Sequence, residues 1–500
     1  MLSLTEWARA NRVAEKSWLV LGKGPTFAKL QPSHFAQYST FALNHVIREV
    51  SATVAHAIDI DVIHDCSDAI ERNARFLLMP YRPHVDCLPT QKTLDAFIQE
   101  NATLKRLSDE GRLVWYNSST SKEPPKAGAP IINVKFFSAE AAINILATSG
   151  AKVIRSLGVD GGDQYSNAFD DLTEQTRLRN GHTNFDSQFA GIAQTILKTG
   201  VFYAPLTMPA PVRVFVGTDS AQMAGLRALE YSIKKRASIS TEVVAIDDRD
   251  TPVPVNPQNR SRTGFSFARF RIPELCGFRG RGIYLDADMQ VFADIKQLWT
   301  IPFDDADVLY SEQTKNGTRA PQYSVMVLNC DNLKWDVREI VRGLDEDAYS
   351  YQDLMYHFCL VPPSKRSAKL PFEWNSLEHY EAGQTKLIHY TDMPTQPWVT
   401  NRNPFASVWY ANLREALSDG FISPDFIYTE VERGHVSPDL PAWVGLPGPR
   451  NYDSLMQNWT PPYRRFSQRQ NGPTPPKAVP EARPRLLQSI VGALRNRVRR

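Results

Sequence analysis

The sequence predicts an α/β protein of two Rossmann-like domains followed by a basic tail. Three observations predict it: a length of 500 residues, repeated strand-then-helix patterning, and a proline-marked seam near residue 208. A single hydrophobic core stops growing at roughly 250 to 300 residues, so a chain of this length is expected to divide. Strand, helix, strand in repetition is the pattern of a parallel sheet covered on both faces. Pro209 and Pro211 in "LTMPAPVRVFVG" interrupt that pattern before "VRVFVG" restarts it. The expected divisions are therefore 1–207, 208–443 and 444–500.

Taken in order, "SWLVLG" reads as a short buried strand, and "TFALN" and "ATVAHAIDIDVIHD" as further strands. "AAINILATSG" is a helix ended by Gly150, and "AKVIRSLGVD" is the next strand. After the seam, "VRVFVG" is a strand, "AQMAGLRALEYSIKKRA" a helix, and "TEVVAID" and "GIYLDAD" are strands. Asp247 to Gly264 is a long, polar, proline-punctuated loop, of the size that is usually functional or disordered. Beyond Trp443, proline, glycine and arginine crowd the chain and predict a flexible linker. The last stretch places Leu486, Leu487, Ile490, Val491, Leu494 and Val498 on one helical face among arginines, which predicts a basic amphipathic helix.

Composition narrows the function classes. No apolar run reaches the ~18 residues of a membrane-spanning helix. Charges in "MLSLTEWARANRVAEKSW" break what would be the apolar part of a secretory signal, so a cytoplasmic location is expected. The five cysteines are odd in number, widely spaced and without a CxxC pair, which argues for buried thiols rather than disulfides or structural zinc. The net charge of +3 hides an asymmetry, because ten basic residues between Pro461 and Arg500 face Glu481 alone. The body is therefore acidic. The tail is expected to attach to an anionic membrane surface, peripheral on its inner face. Nucleic acid is not the expected partner, since the terminal helix lacks aromatic stacking platforms. A plain solvated tail is the alternative.

"GIYLDADMQVF" runs an apolar strand directly into Asp286 and Asp288. Asp-x-Asp recurs at Asp59 and Asp61, at Asp248 and Asp250, and at Asp345 and Asp347, so spacing alone says little. Position is what separates this pair. Ligands of open α/β sheets bind beyond the carboxyl ends of strands. Two adjacent buried carboxylates repel and are costly to desolvate unless a cation neutralises them. Oxygen ligands suit Mg²⁺ or Mn²⁺, and an added imidazole tilts the choice to Mn²⁺. Solvated strand-end charges are the plain alternative.

The motifs "VRVFVGTDSAQMAGLRALEYSI", "FARFRIPEL", "GIYLDADMQVF", "YSVMVLN", "YQDLMY", "LPFEWN" and "IHYTDMPTQPW", in that order over roughly residues 212 to 400, resemble the retaining family 8 glycosyltransferases of the glycogenin and bacterial galactosyltransferase type. The resemblance implies a GT-A fold and a metal-dependent transfer from a nucleotide sugar, UDP-linked, to a glycan or glycolipid acceptor. It implies Asp286, Asp288 and His389 as metal ligands, and Gly217, Thr218, Asp219, Asp286 and Ala287 as donor contacts. It implies Arg269 as an arginine approaching the donor, and Gln352 and Asp353 as the polar pair beside the anomeric carbon. Two departures stand out. Gln322, Tyr323 and Ser324 replace the family's sugar-binding motif, and Gln396 stands where a lysine would steady the departing diphosphate. Each assignment has a plain rival: a core histidine for His389, a helix cap for Gln352 and Asp353, an ion-paired arginine for Arg269. Trp374 and Asn375 either line the acceptor cleft or pack.

"SWLVLGKGPTF" resembles the opening of family 42 sialyltransferases and of motility-accessory nucleotide-binding domains. That resemblance implies Gly22 and Gly24, with Pro25 and Thr26, as a turn whose amides approach a phosphate. Asn44 and the end of "SLGVDGGDQY" would add contacts, and His182 would be a base or a packed loop residue. Two alternatives to the leading reading follow: a first domain that is itself the transferase, using a CMP-sugar, and a non-catalytic glycan or lipid-carrier binding protein.

Overall fold

The computed structural model describes residues 1–311 and 323–463. The expected amphipathic helix of the tail lies outside the described residues. The chain is mixed α/β, with one large parallel sheet and one smaller mixed sheet.

Among the described residues the first sheet has nine strands. Eight follow one path: Leu2–Ser3, Leu113–Ser118, Ala74–Pro80, Ala52–His56, Ser39–Leu43, Ser17–Leu21, Val153–Leu157 and Phe202–Pro205. Ile131–Ile132 pairs with Leu113–Ser118 off that path, and every pairing is parallel. Strands buried on both faces read as near-continuous apolar runs, which is why "SWLVLG" is legible. Chain order steps outward from Ser17–Leu21 in one direction, then returns to its other side at Val153–Leu157. Such a reversal leaves a crevice at the carboxyl ends of the two strands.

One expected strand divides in two. "ATVAHAIDIDVIHD" is a strand only over Ala52–His56, and Ile60–Asn73 is a helix. Ile60, Ile63, Cys66 and Ile70 are buried at helical spacing, and that periodicity outweighs the β-branched composition. The stretch beyond Trp443 is likewise not all linker, since Tyr452–Asn458 is helical. All five cysteines are free thiols.

Among the described residues the second sheet has six strands in the order Thr241–Ile246, Val212–Gly217, Arg281–Asp286, Met326–Asn329, Val308–Ser311 and Arg366–Leu370. The first three are parallel, and Met326–Asn329 runs antiparallel to its neighbours. A small sheet of Met289–Val291, Leu387–His389 and Ser376–Leu377 stands beside it. The two large sheets are stitched at the seam. Ser240 donates its amide to Tyr203 O at 2.8 Å, and Tyr203 returns its amide to Ser240 Oγ at 2.8 Å. Trp299 Nε1 donates to Pro209 O at 2.8 Å, and Ala204, a residue of the first sheet, packs in the core of the second. Among the described residues no helix is long and apolar enough to cross a membrane.

Candidate active site

Val212–Gly217 and Arg281–Asp286 are neighbours, with Gly217 opposite Asp286. Ala287 donates its amide to Gly217 O at 3.0 Å, so the acidic turn rests on the tip of the adjacent strand. Only glycine fits there. A Cβ on Gly217 would stand 2.4 Å from Tyr284 Oη and 2.6 Å from the Phe265 ring. Thr218 is buried. Asp219 accepts from Ala221 N at 2.9 Å, and burial holds its carboxyl above the usual range. Gly217, Thr218, Asp219 and Ala287 are thus brought together with Asp286.

After Asp288 the chain enters Met289–Val291, which pairs antiparallel with Leu387–His389, Met289 opposite His389. Tyr390 N continues the pairing by donating to Asp288 O at 2.8 Å. This pairing explains why a histidine so distant in sequence meets the acidic pair. His389 Nε2 lies 3.0 Å from Asp288 Oδ1 and 3.9 Å from Asp286 Oδ2. One ligand atom from each of the three residues falls within 4.8 Å of the others.

Residues 210–351 match the family model described as glycosyl transferase family 8. By that match, this part of the chain is similar to the family 8 glycosyltransferases. Protein CDI of Arabidopsis thaliana is 27% identical over 235 residues, which are 41% of this chain and 87% of that protein. The WbbM bifunctional glycosyltransferase overlays at 16% identity with a TM-score of 0.33, covering 46% of this chain. The overlay spans about half of WbbM, 53% of its length. The galactosyltransferase LgtC, solved with donor and acceptor sugar analogs, overlays at 15% identity and a TM-score of 0.32, covering 45% of this chain and all of LgtC.

The residues of this family 8-like region suit a divalent cation. Asp288 Oδ1 is fully buried and accepts no hydrogen bond. Two carboxylates and a ring nitrogen converge there, an O,O,N donor set that repels itself without a positive charge. The electrostatics register this. Burial raises the Asp286 carboxyl, against the pull of Arg269 and His389. Burial alone would lower the His389 imidazole, but Asp288 and then Asp286 outweigh it and hold it above its ordinary value.

Two carboxamides stand behind the triad. Asn375 Oδ1 lies 3.2 Å from His389 Nδ1, and Gln396 Nε2 donates to Asp288 Oδ2 and to Tyr390 O, both at 3.1 Å. Neither role is visible in sequence, because a buried carboxamide has no characteristic spacing. Asp248 is a further residue not singled out. Its carboxylate accepts from Phe267 N at 3.0 Å and Ala268 N at 2.8 Å, fixing the turn that carries Arg269. The long polar loop was the available signal.

Arg269 is buried and faces Asp286, as its ion-paired alternative has it. Its guanidinium donates to Tyr323 O at 2.9 Å, lies 4.5 Å from the Tyr284 ring centroid and 3.9 Å from Asp286 Oδ1. Tyr284 Oη donates to the same Asp286 oxygen at 2.5 Å. Gln352 and Asp353 open the helix Tyr351–Met355, and no hydrogen bond or ion pair joins them to the triad among the described residues. Asp353 Oδ2 accepts from Ser350 N at 3.0 Å and Ser350 Oγ at 2.7 Å, a capping box. Gln352 is exposed.

In the first domain, Gly22 and Gly24 do not offer their amides to a phosphate. Gly22 N donates to Leu157 O and Gly24 N to Gly158 O, both at 2.9 Å. A Cβ on Gly22 would stand 2.3 Å from Gly158 O, so these glycines let two strand-end turns meet. Both border a cavity of about 440 Å³ at the crevice between Ser17–Leu21 and Val153–Leu157. Lys23, Asn44, His45, Asp59 and Phe137 also line it. Burial pushes Lys23 down to about 8 and Asp59 up to about 6. His182 lies against Phe136 and Phe137, with ring centroids 4.6 and 5.2 Å away.

Proposed function

We propose that the family 8 domain moves a sugar, with retention of configuration, from a UDP-linked donor to a glycan or glycolipid acceptor, with Mn²⁺ or Mg²⁺ held by Asp286, Asp288 and His389. The observation that carries this reading is the convergence of those three side chains around a buried carboxylate oxygen with no hydrogen-bond donor. A bound divalent ion supplies Lewis-acid stabilisation of the diphosphate leaving group, on the order of several kcal/mol. Gly217, Thr218 and Asp219 bind the nucleoside at the strand tip, where glycine permits close backbone approach. Arg269 and Tyr284 hold Asp286 in its ionised, ligating orientation. Gln352, exposed and uncharged, is a poor nucleophile and contacts the sugar as a hydrogen-bonding group. With its carboxylate engaged by Ser350, Asp353 positions that helix, which favours attack on the same face over a covalent intermediate.

The test is incubation of the purified chain with Mn²⁺ and a panel of nucleotide sugars. Donor hydrolysis or transfer that Asp288→Ala abolishes supports the reading. Turnover that survives Asp288→Ala overturns it, and binding of donor and Mn²⁺ without turnover marks a non-catalytic glycan or lipid-carrier binding protein.

A second reading rests on the first-domain cavity. Its lysine and aromatic lining suit an anionic nucleotide, CMP-linked in the alternative drawn from the sequence. A nucleotide whose calorimetric binding is lost in Lys23→Ala and kept in Asp288→Ala supports this second site. If every nucleotide that binds is lost in Asp288→Ala, the site does not exist.

A further inference from the structure

We infer that Gln396 and Asn375 are positioning residues that decide which lone pairs of Asp288 and His389 face a divalent cation. The inference rests on the metal reading above and extends it to the shell behind the ligands.

Asn375 is buried and uses both ends of its carboxamide. Nδ2 donates to Ser324 Oγ at 3.4 Å, and Oδ1 lies 3.2 Å from His389 Nδ1. Since Oδ1 only accepts, the ring proton belongs on Nδ1 and the free lone pair on Nε2, the nitrogen that lies 3.0 Å from Asp288 Oδ1. Without Asn375, nothing among the described residues on that side of the ring selects this tautomer.

Gln396 acts on the other ligand. Its Nε2 carries two protons, and both are used, on Asp288 Oδ2 and on Tyr390 O. Tyr390 N in turn donates to Asp288 O. Carboxylate, backbone and the strand bearing His389 are thereby closed into one hydrogen-bonded ring. Because Oδ2 is occupied, Oδ1 is the oxygen left for a cation, and it is the one without a donor. The neutrality of the carboxamide matters. A lysine at 396, as the family resemblance leads one to expect, would set an ammonium against Asp288 and compete with the cation for the same charge. A glutamine turned inward in this way commits both amide protons to protein acceptors, so position 396 serves to orient Asp288 here.

The test is Mn²⁺ binding to the full chain by calorimetry, for wild type, Gln396→Met, Gln396→Lys and Asn375→Ala. Loss of such supporting hydrogen bonds typically weakens metal affinity about 10- to 100-fold. Gln396→Met and Asn375→Ala are expected in that range, with Gln396→Lys weaker still. In Gln396→Met, raised Mn²⁺ should restore kcat while the Mn²⁺ requirement stays elevated, which a general loss of stability would not produce. A wild-type chain that binds no Mn²⁺ removes the metal reading itself. A wild-type chain that binds, with variants within twofold of it, removes only this inference. A measurement independent of variant stability is the ¹⁵N spectrum of histidine-labelled wild type titrated with Cd²⁺, with His389 assigned by its loss in His389→Ala. Retention of the Nδ1 proton with a shift at Nε2 is expected, and ligation through Nδ1 overturns the proposal.

Discussion

Met289 and His389 are register partners across an antiparallel pair, and that single pairing sets an imidazole against two carboxylates at the end of another strand. A site assembled by backbone pairing is sensitive to every ligand it gathers. Asp288→Ala and His389→Ala should each lower Mn²⁺ affinity and donor turnover by at least about 100-fold, since each would remove one of the three proposed ligands outright. Calorimetry and a donor-hydrolysis assay measure the two losses separately.

Arg269 and Asp286 form a buried pair further tied by Tyr284. Arg269→Leu should destabilise the second half of the chain by about 3–5 kcal/mol, the usual cost of leaving one member of a buried ion pair alone. Arg269→Lys should recover little of it. An ammonium lacks the planar fork that bonds Tyr323 O while lying against the Tyr284 ring. Denaturant unfolding measures both.

At Gly217 an added methyl meets the Tyr284 hydroxyl and the Phe265 ring. Gly217→Ala should cost about 1–3 kcal/mol as overpacking and should weaken Mn²⁺ binding by displacing Tyr284 from Asp286. Thermal melting with and without Mn²⁺ tests the pair of effects.

Gly22→Ala offers the contrasting case in the first domain, where the methyl meets backbone at Gly158 and cannot be relieved by a rotamer change. It should lower the stability of that domain while leaving Mn²⁺ affinity of the other within about twofold, a separation expected of distant sites.

His56 gives a pH dependence. It is fully buried beside Tyr116 Oη at 2.8 Å, and burial pushes its imidazole from 6.5 down to about 3. The unfolded chain takes up the proton near pH 6.5 and the folded chain only near 3, so stability is full above 6.5 and falls as pH drops through that window. His84, pushed down to about 4 by burial, acts in the same direction. His56→Gln should flatten the decline in first-domain stability between pH 6.5 and 4, as followed by denaturant melts.

Much of this arrangement is legible in sequence. The apolar run before Asp286 marks a strand end, and a strand end is where a charged pair has a use. Helical spacing in Ile60–Asn73 was present but masked by isoleucine and valine, which favour strands when read by composition. The roles of Asn375 and Gln396 were not readable, because a residue that supports a ligand is defined by what it touches and touching is a property of the fold. Gln352 and Asp353 show the converse. Their motif is conspicuous, yet the carboxylate of Asp353 is engaged in starting a helix.

The stitching of Tyr203 to Ser240 bears on how the molecule can be taken apart. Severing the chain at the proline seam to obtain the second half alone would deprive Ser240 of its hydrogen bonds with Tyr203 and Val201 and open the apolar surface that Ala204 covers. A workable excision has to begin upstream and carry the Phe202–Pro205 segment with it.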